Sequence, residues 1–251
     1  MAAIALAEVV VLVWGIQAAV LCDAALVAIL LGHFTLKTPR GDPSLVTVAL
    51  RDPFMRLLPV LALLPLLRIL SATMPVQRVA EIYWYAMVGV PLLCAILLTM
   101  RLFDLGLADI GLGRRITSTQ AAIAWSGIPL GLVAYVLVRP EPLVGPGGVK
   151  RIYAGVVILI VFSGFTEEML FRGLLQPILL RMFGPAGLIA TSLLFAAVYL
   201  GTKAPAYVVF ILGVGLFFGW CVRRTGSLWG VAIAHGIMSV SAILILPLLW
   251  S

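Results

Sequence analysis

The strongest constraint on this chain is a succession of apolar runs, each about twenty residues long and separated by short polar connections. A helix of ~20 residues spans the ~30 Å hydrocarbon core of a bilayer. Lipid offers backbone amides no partner, so such runs must satisfy their own hydrogen bonds as helices. Charged residues make up 11% of the 251 positions, less than half the ~25% of a soluble domain. The pattern predicts an all-α polytopic membrane protein with about eight transmembrane helices. They fall near 3–31, 54–73, 82–103, 118–138, 152–180, 185–200, 205–222 and 228–250.

The fifth run is too long for one straight crossing, and Pro177 near its end predicts a kink or a separate short helix there. The first run lacks a basic n-region, contains Glu8 and exceeds a signal-peptide core, so it reads as a retained helix. Glu8 and Asp23 within it read as interfacial or helix-contact acids. No repeat, low-complexity tract or soluble second domain interrupts the chain. It is expected to form one continuous membrane domain, with N-terminal transmembrane helices over 1–103 and a core over 104–251.

The net charge of +7 is no nucleic-acid footprint, because the basic residues sit in loops. Lys37, Arg40, Arg51 and Arg56 follow the first run. Arg101, Arg114 and Arg115 follow the third, Arg181 the fifth, and Arg223 and Arg224 the seventh. The alternate loops carry fewer. By the positive-inside rule both termini lie outside a bacterial-type plasma membrane. Cys22, Cys94 and Cys221 are far apart, show no zinc-site spacing and read as buried packing residues. Trp84, Trp125, Trp229 and Trp250 near run ends read as interfacial anchors.

The stretch Phe165–Gly173, FTEEMLFRG, breaks the pattern by placing Glu167, Glu168 and Arg172 inside the fifth run. Each charge at a helix centre costs about 2.5–3.5 kcal/mol. Glu168 and Arg172 are four apart and can pair along one face. Glu167 points about 100° away and needs another explanation. Two readings remain open: a structural ion pair with a protonated or hydrogen-bonded Glu167, or a polar cavity in which a carboxylate activates water. His33 reads as a residue of the first loop's surface. His235, in GSLWGVAIAHGIMSV, is the better candidate to meet the glutamates, and Ser239 four residues on can partner its ring.

These residues resemble a known family. EEMLFRG is similar to the EExxxR motif of the CPBP (CAAX protease and bacteriocin-processing, or Abi) intramembrane proteases. TGSLWGVAIAH is similar to that family's final motif, and DLGLADIGLGRR, 104–115, to the loop that often precedes its core. The resemblance covers roughly residues 104–245 and implies a CPBP-like helical core. It implies that Glu167 activates water, that Glu168 and Arg172 shape the polar site, and that His235 binds metal or steadies an oxyanion. The substrate it implies is a membrane-tethered peptide, in some members beside a prenylated cysteine. The middle motif, FxxxH, corresponds here to FAAVY, so Phe195 is kept and Tyr199 replaces the histidine. Ser239 stands where asparagine is usual. A divalent metal such as zinc, held by Glu168 and His235, is one expectation; no metal is the other, with Tyr199 donating a hydrogen bond instead.

Two functions follow from the resemblance. One is an intramembrane endopeptidase that hydrolyses peptide bonds with glutamate-activated water. The other is a catalytically silent relative acting as a scaffold, assembly factor or subunit of a membrane protein complex. A transporter or lipid-binding protein is a third, more remote reading, because intramembrane acids also mark proton paths.

Overall fold

The computed structural model describes residues 2–39, 43–74, 81–143, 149–200 and 204–250. Among them seven helices are long and apolar enough to cross a membrane. They are α1 (Trp14–Lys37), α2 (Pro53–Thr73), α3 (Glu81–Leu102), α4 (Ser118–Val138), α5 (Lys150–Phe183), α7 (Pro205–Thr225) and α8 (Trp229–Leu249). The sixth run forms a shorter apolar helix, α6 (Ala186–Ala197). The chain is an all-α polytopic membrane protein.

Three boundaries differ from the sequence reading. The helix that begins at Ala2 breaks at Gly15, whose φ of 83° belongs to the left-handed region. Glycine alone takes that conformation without strain, so the first span begins there, not at residue 3. It then runs on to Lys37, which puts His33 inside the helix, exposed and edge-on to Phe54. The side chain of Glu8 lies outside the described residues. The fifth span runs through Pro177 without interruption. In place of a break there are two wide π segments, Leu159–Phe165 and Met169–Leu175, either side of Thr166–Glu168. Pro177 follows the second of these, at the start of the α-helical segment Gln176–Phe183.

The interior is built by α2, α5 and α8, the most buried of the spans, while α1 is the least buried. One core joins them, with Leu64, Ile96, Leu170, Phe171, Leu175, Phe195, Ile211 and Phe218 fully or almost fully enclosed. Asp23 on α1 is buried and lies in the field of Arg68 on α2. Cys221 is buried, but Cys22 and Cys94 are exposed on the outer faces of their helices. A lipid-facing surface is as apolar as a packed one, so composition could not separate the two.

A close approach of α5 and α8 sets the site. A Cβ on Gly164 of α5 would lie 2.6 Å from the Ala232 carbonyl oxygen and 2.8 Å from the Gly236 nitrogen. One on Gly236 of α8 would lie 2.9 Å from the Ile160 Cα. The two helices therefore meet backbone to backbone, as small residues permit in membranes. Gly164→Val is expected to destabilise the protein by about 1–3 kcal/mol, because backbone atoms cannot move aside as a flexible side chain can. Thermal unfolding in detergent measures this, and an unchanged midpoint would refute the contact.

The start of α8 is also fixed in place. The Leu228 amide donates to the Gly111 carbonyl at 3.0 Å, and Trp229 Nε1 donates to the Leu112 carbonyl at 3.0 Å. Buried Gln120 of α4 accepts from the Gly230 amide at 2.7 Å. The two bonds from backbone amides, those of Leu228 and Gly230, satisfy N–H groups that a helix start leaves unpaired. The loop preceding α4 thereby determines how deep His235 sits.

Candidate active site

The two glutamates of α5 occupy different environments. Glu168 is fully buried and looks into the protein. Its Oε1 accepts from Arg172 Nη1 at 2.7 Å and pairs with His235 Nδ1 at 2.8 Å. Arg172 is buried as well, and its Nη2 donates to the Gly215 carbonyl at 3.3 Å. Its guanidinium centre lies 4.3 Å from the Phe195 ring centroid, within cation–π range. Phe195 stands edge-on to the rings of Phe171, Tyr199 and His235. It is the aromatic wall on which the charged cluster rests.

One turn further along the same side, Gln176 Nε2 donates to the Gly219 carbonyl at 3.0 Å. Glu168, Arg172 and Gln176 thus form a polar seam against α7 and α8. A buried ion pair is tolerated when its remaining hydrogen-bonding groups find partners. The seam meets that condition on most atoms, leaving Glu168 Oε2, Arg172 Nε and Gln176 Oε1 without a partner among the described residues.

Glu167 faces the other way, into a cavity of ≈ 640 Å³. Its Oε2 accepts from the Tyr199 hydroxyl at 3.2 Å and lies 3.9 Å from His235 Nε2. With His235 Nδ1 paired to Glu168, it is Nε2 of the ring that faces Glu167. A separation of 3.9 Å suits a bridging water better than a direct bond. Ser239 also lines the cavity, but its hydroxyl pairs with that of Ser163 at 2.8 Å, not with His235. The ring nitrogen expected to need Ser239 is taken by Glu168.

Tyr199 follows the end of α6, and its hydroxyl reaches Glu167 beside His235. The hairpin between α5 and α6 turns tightly at Gly184 and Pro185. The π segments also make α5 shorter for its residue count than a regular helix. The two helices therefore bring Glu167 and Tyr199 to one depth.

Several residues of the cavity carried no sequence signal of function. Ser163 and Tyr207 face it from α5 and α7, with Tyr207 5.7 Å from the Tyr199 ring. Glu81, Trp84, Tyr85 and Glu141 line it near one end of the bundle. Trp84, read as an interfacial anchor, is part of this wall. Ser163 and Gln176 could have been found as polar residues at helical spacing from the glutamates. Glu81 and Glu141 could not, since only the tertiary fold brings both to one cavity.

The metal expectation can be tested on the donors. Among the described residues no group of three His, Cys, Asp or Glu side chains is placed to hold an ion. A catalytic zinc takes three protein ligands. Here Glu168 Oε1 and His235 Nδ1 are engaged with one another, and a phenol occupies the position beside Glu167. The donor set does not fit a zinc centre.

Comparison with curated proteins and with solved structures returned no match. A family model does match, over residues 150–241, and its description is Rce1-like, type II CAAX prenyl endopeptidase. This region includes the two glutamates, Arg172, Phe195, Tyr199, His235 and Ser239. Residues 150–241 thus form an Rce1-like region, similar to the type II CAAX prenyl endopeptidases.

Proposed function

We propose that this protein is an active intramembrane endopeptidase that hydrolyses a membrane-tethered peptide without a metal. The observation that carries the reading is the placement of Glu167. It is a carboxylate at the wall of a cavity lined by polar and apolar side chains, bonded by the Tyr199 hydroxyl, 3.9 Å from His235 Nε2 and backed by a fully buried ion pair.

In this mechanism a water is held between Glu167 and His235 Nε2. Glu167 removes its proton as the oxygen attacks the scissile carbonyl. The carbonyl oxygen gains the negative charge, and the Tyr199 hydroxyl turns from Glu167 to donate to it. Glu167 then passes its proton to the leaving nitrogen as the C–N bond breaks, which returns the carboxylate. Glu168 keeps His235 in one tautomer and one orientation, and Arg172 holds Glu168 in place. These last two are positioning residues, and neither touches the peptide.

Tyr199→Phe keeps the ring packing and removes the donor. It is expected to lower kcat by about 10²–10³-fold, the size of losing one oxyanion donor, with little change in KM. Hydrolysis of a fluorogenic peptide by the purified protein measures this. Treatment with 1,10-phenanthroline is expected to leave the rate unchanged. Inhibition that zinc restores would overturn the metal-free mechanism.

The alternative is a silent scaffold or complex subunit. It is favoured by the replacement of a ligand-type residue by Tyr199 within a hydrogen-bonded, ring-packed cluster. Recovery of the chain in a stoichiometric complex, with no hydrolysis under any condition, would support it.

A further inference from the structure

Contacts identify the two ends of the bundle independently of the order of the spans. The Arg56 guanidinium, at the start of α2, sits 5.4 Å from the Phe103 ring just past α3. Arg114, ahead of α4, donates to the Thr225 carbonyl at the end of α7 at 3.3 Å. Trp229 at the start of α8 binds Leu112, in the loop ahead of α4. Arg181 at the end of α5 lies in the field of Arg56. All of these belong to one end, which also carries Lys37, Arg51, Arg101, Arg115, Arg223 and Arg224.

The cavity belongs to the opposite end. Its wall runs from buried Ser163 and His235 to exposed Glu81 and Glu141. Those two acids flank the start of α3 and the segment that follows α4. Tyr135 of α4 and Trp250 past α8 pack there at 5.6 Å. Among the described residues the basic side chains at this end are Arg68, Arg139, Lys150 and Arg151. Basic residues concentrate on the cytoplasmic side of a membrane protein. Bilayer orientation and the location of the cavity mouth are therefore linked.

We infer that the cavity opens on the non-cytoplasmic face, and that its substrate is a polypeptide segment on that side of the bilayer. The substrate class is a juxtamembrane stretch of a membrane-anchored or exported chain. A chain terminus offered from the cytoplasm would meet the arginine-rich end and not the mouth. The substrate class rests on the endopeptidase reading; the orientation of the mouth does not.

The test uses full-length protein expressed in bacterial cells, with Cys22, Cys94 and Cys221 replaced. E141C reports on the mouth and R115C on the basic end; both positions are exposed. A membrane-impermeant maleimide is applied to spheroplasts before and after permeabilisation. The fraction of E141C labelled in intact spheroplasts is expected to exceed that of R115C by at least ~10-fold. Equal or reversed labelling overturns the orientation. Peptide hydrolysis by the detergent-solubilised protein is measured separately, since it does not depend on sidedness. Its absence overturns the substrate assignment while leaving the label ratio to judge the orientation.

Discussion

Glu167→Gln is expected to abolish peptide hydrolysis, lowering the rate by about 10²–10⁴-fold, the contribution of a general base. The substitution keeps the length of the side chain and an oxygen that can accept from Tyr199 at the same position. It removes only the capacity to take a proton from water. Glu167 lines a cavity and its bond from Tyr199 can be kept by the amide oxygen, so thermal stability should fall by no more than about 1 kcal/mol. The combination is diagnostic, because a purely structural role predicts the converse. The measurement is peptide hydrolysis beside unfolding in detergent, and a rate within about threefold of the parent would remove Glu167 from the mechanism.

Arg172→Ala is expected to cost about 3–5 kcal/mol of stability, the effect of breaking a buried ion pair by removing one partner. Glu168 would then be a fully buried carboxylate with only His235 to compensate it. The cavity left by the guanidinium would also lose its packing against Phe195. A control separates charge from volume. Arg172→Met with Glu168→Gln keeps most of the bulk and leaves no uncompensated charge, and should recover much of the loss. A double-mutant cycle through Glu168→Gln and Arg172→Met should give a coupling of at least ~2 kcal/mol. Simple additivity would show that the two residues do not depend on each other. Recovery of folding by the double variant should not restore hydrolysis, because the Glu168→Gln change leaves the His235 tautomer unspecified.

Much of the architecture was legible because lipid imposes a single solution on an apolar run. Span positions followed from length and charge alone. The break at Gly15 did not, since a glycine in an apolar run carries no mark of its φ. The fifth span was read as interrupted at Pro177, where the structure stays helical. The wide segments that lie upstream carry no residue signature that a sequence reading could use.

At the site, the pairing of Glu168 with Arg172 is a matter of local spacing, which sequence contains. That His235 turns to Glu168 instead of Ser239 depends on a backbone contact between Gly164 and Gly236. The two glycines are separated by most of the Rce1-like region, and no local pattern couples them. The acidic rim formed by Glu81 and Glu141 was illegible for the same reason.

The wide turns in α5 also bear on how related chains should be lined up. An i→i+5 turn holds one residue more than the α turn it replaces. A helical wheel drawn through Lys150–Phe183 as a regular helix therefore slips by about 100° at each such segment. Relatives without the first of them will match Glu167 and Glu168 only if a one-residue gap is opened between Leu159 and Phe165. Aligned without that gap, such relatives would show serine, glycine and phenylalanine of α5 against the wrong neighbours, and a shared packing face would pass for divergence.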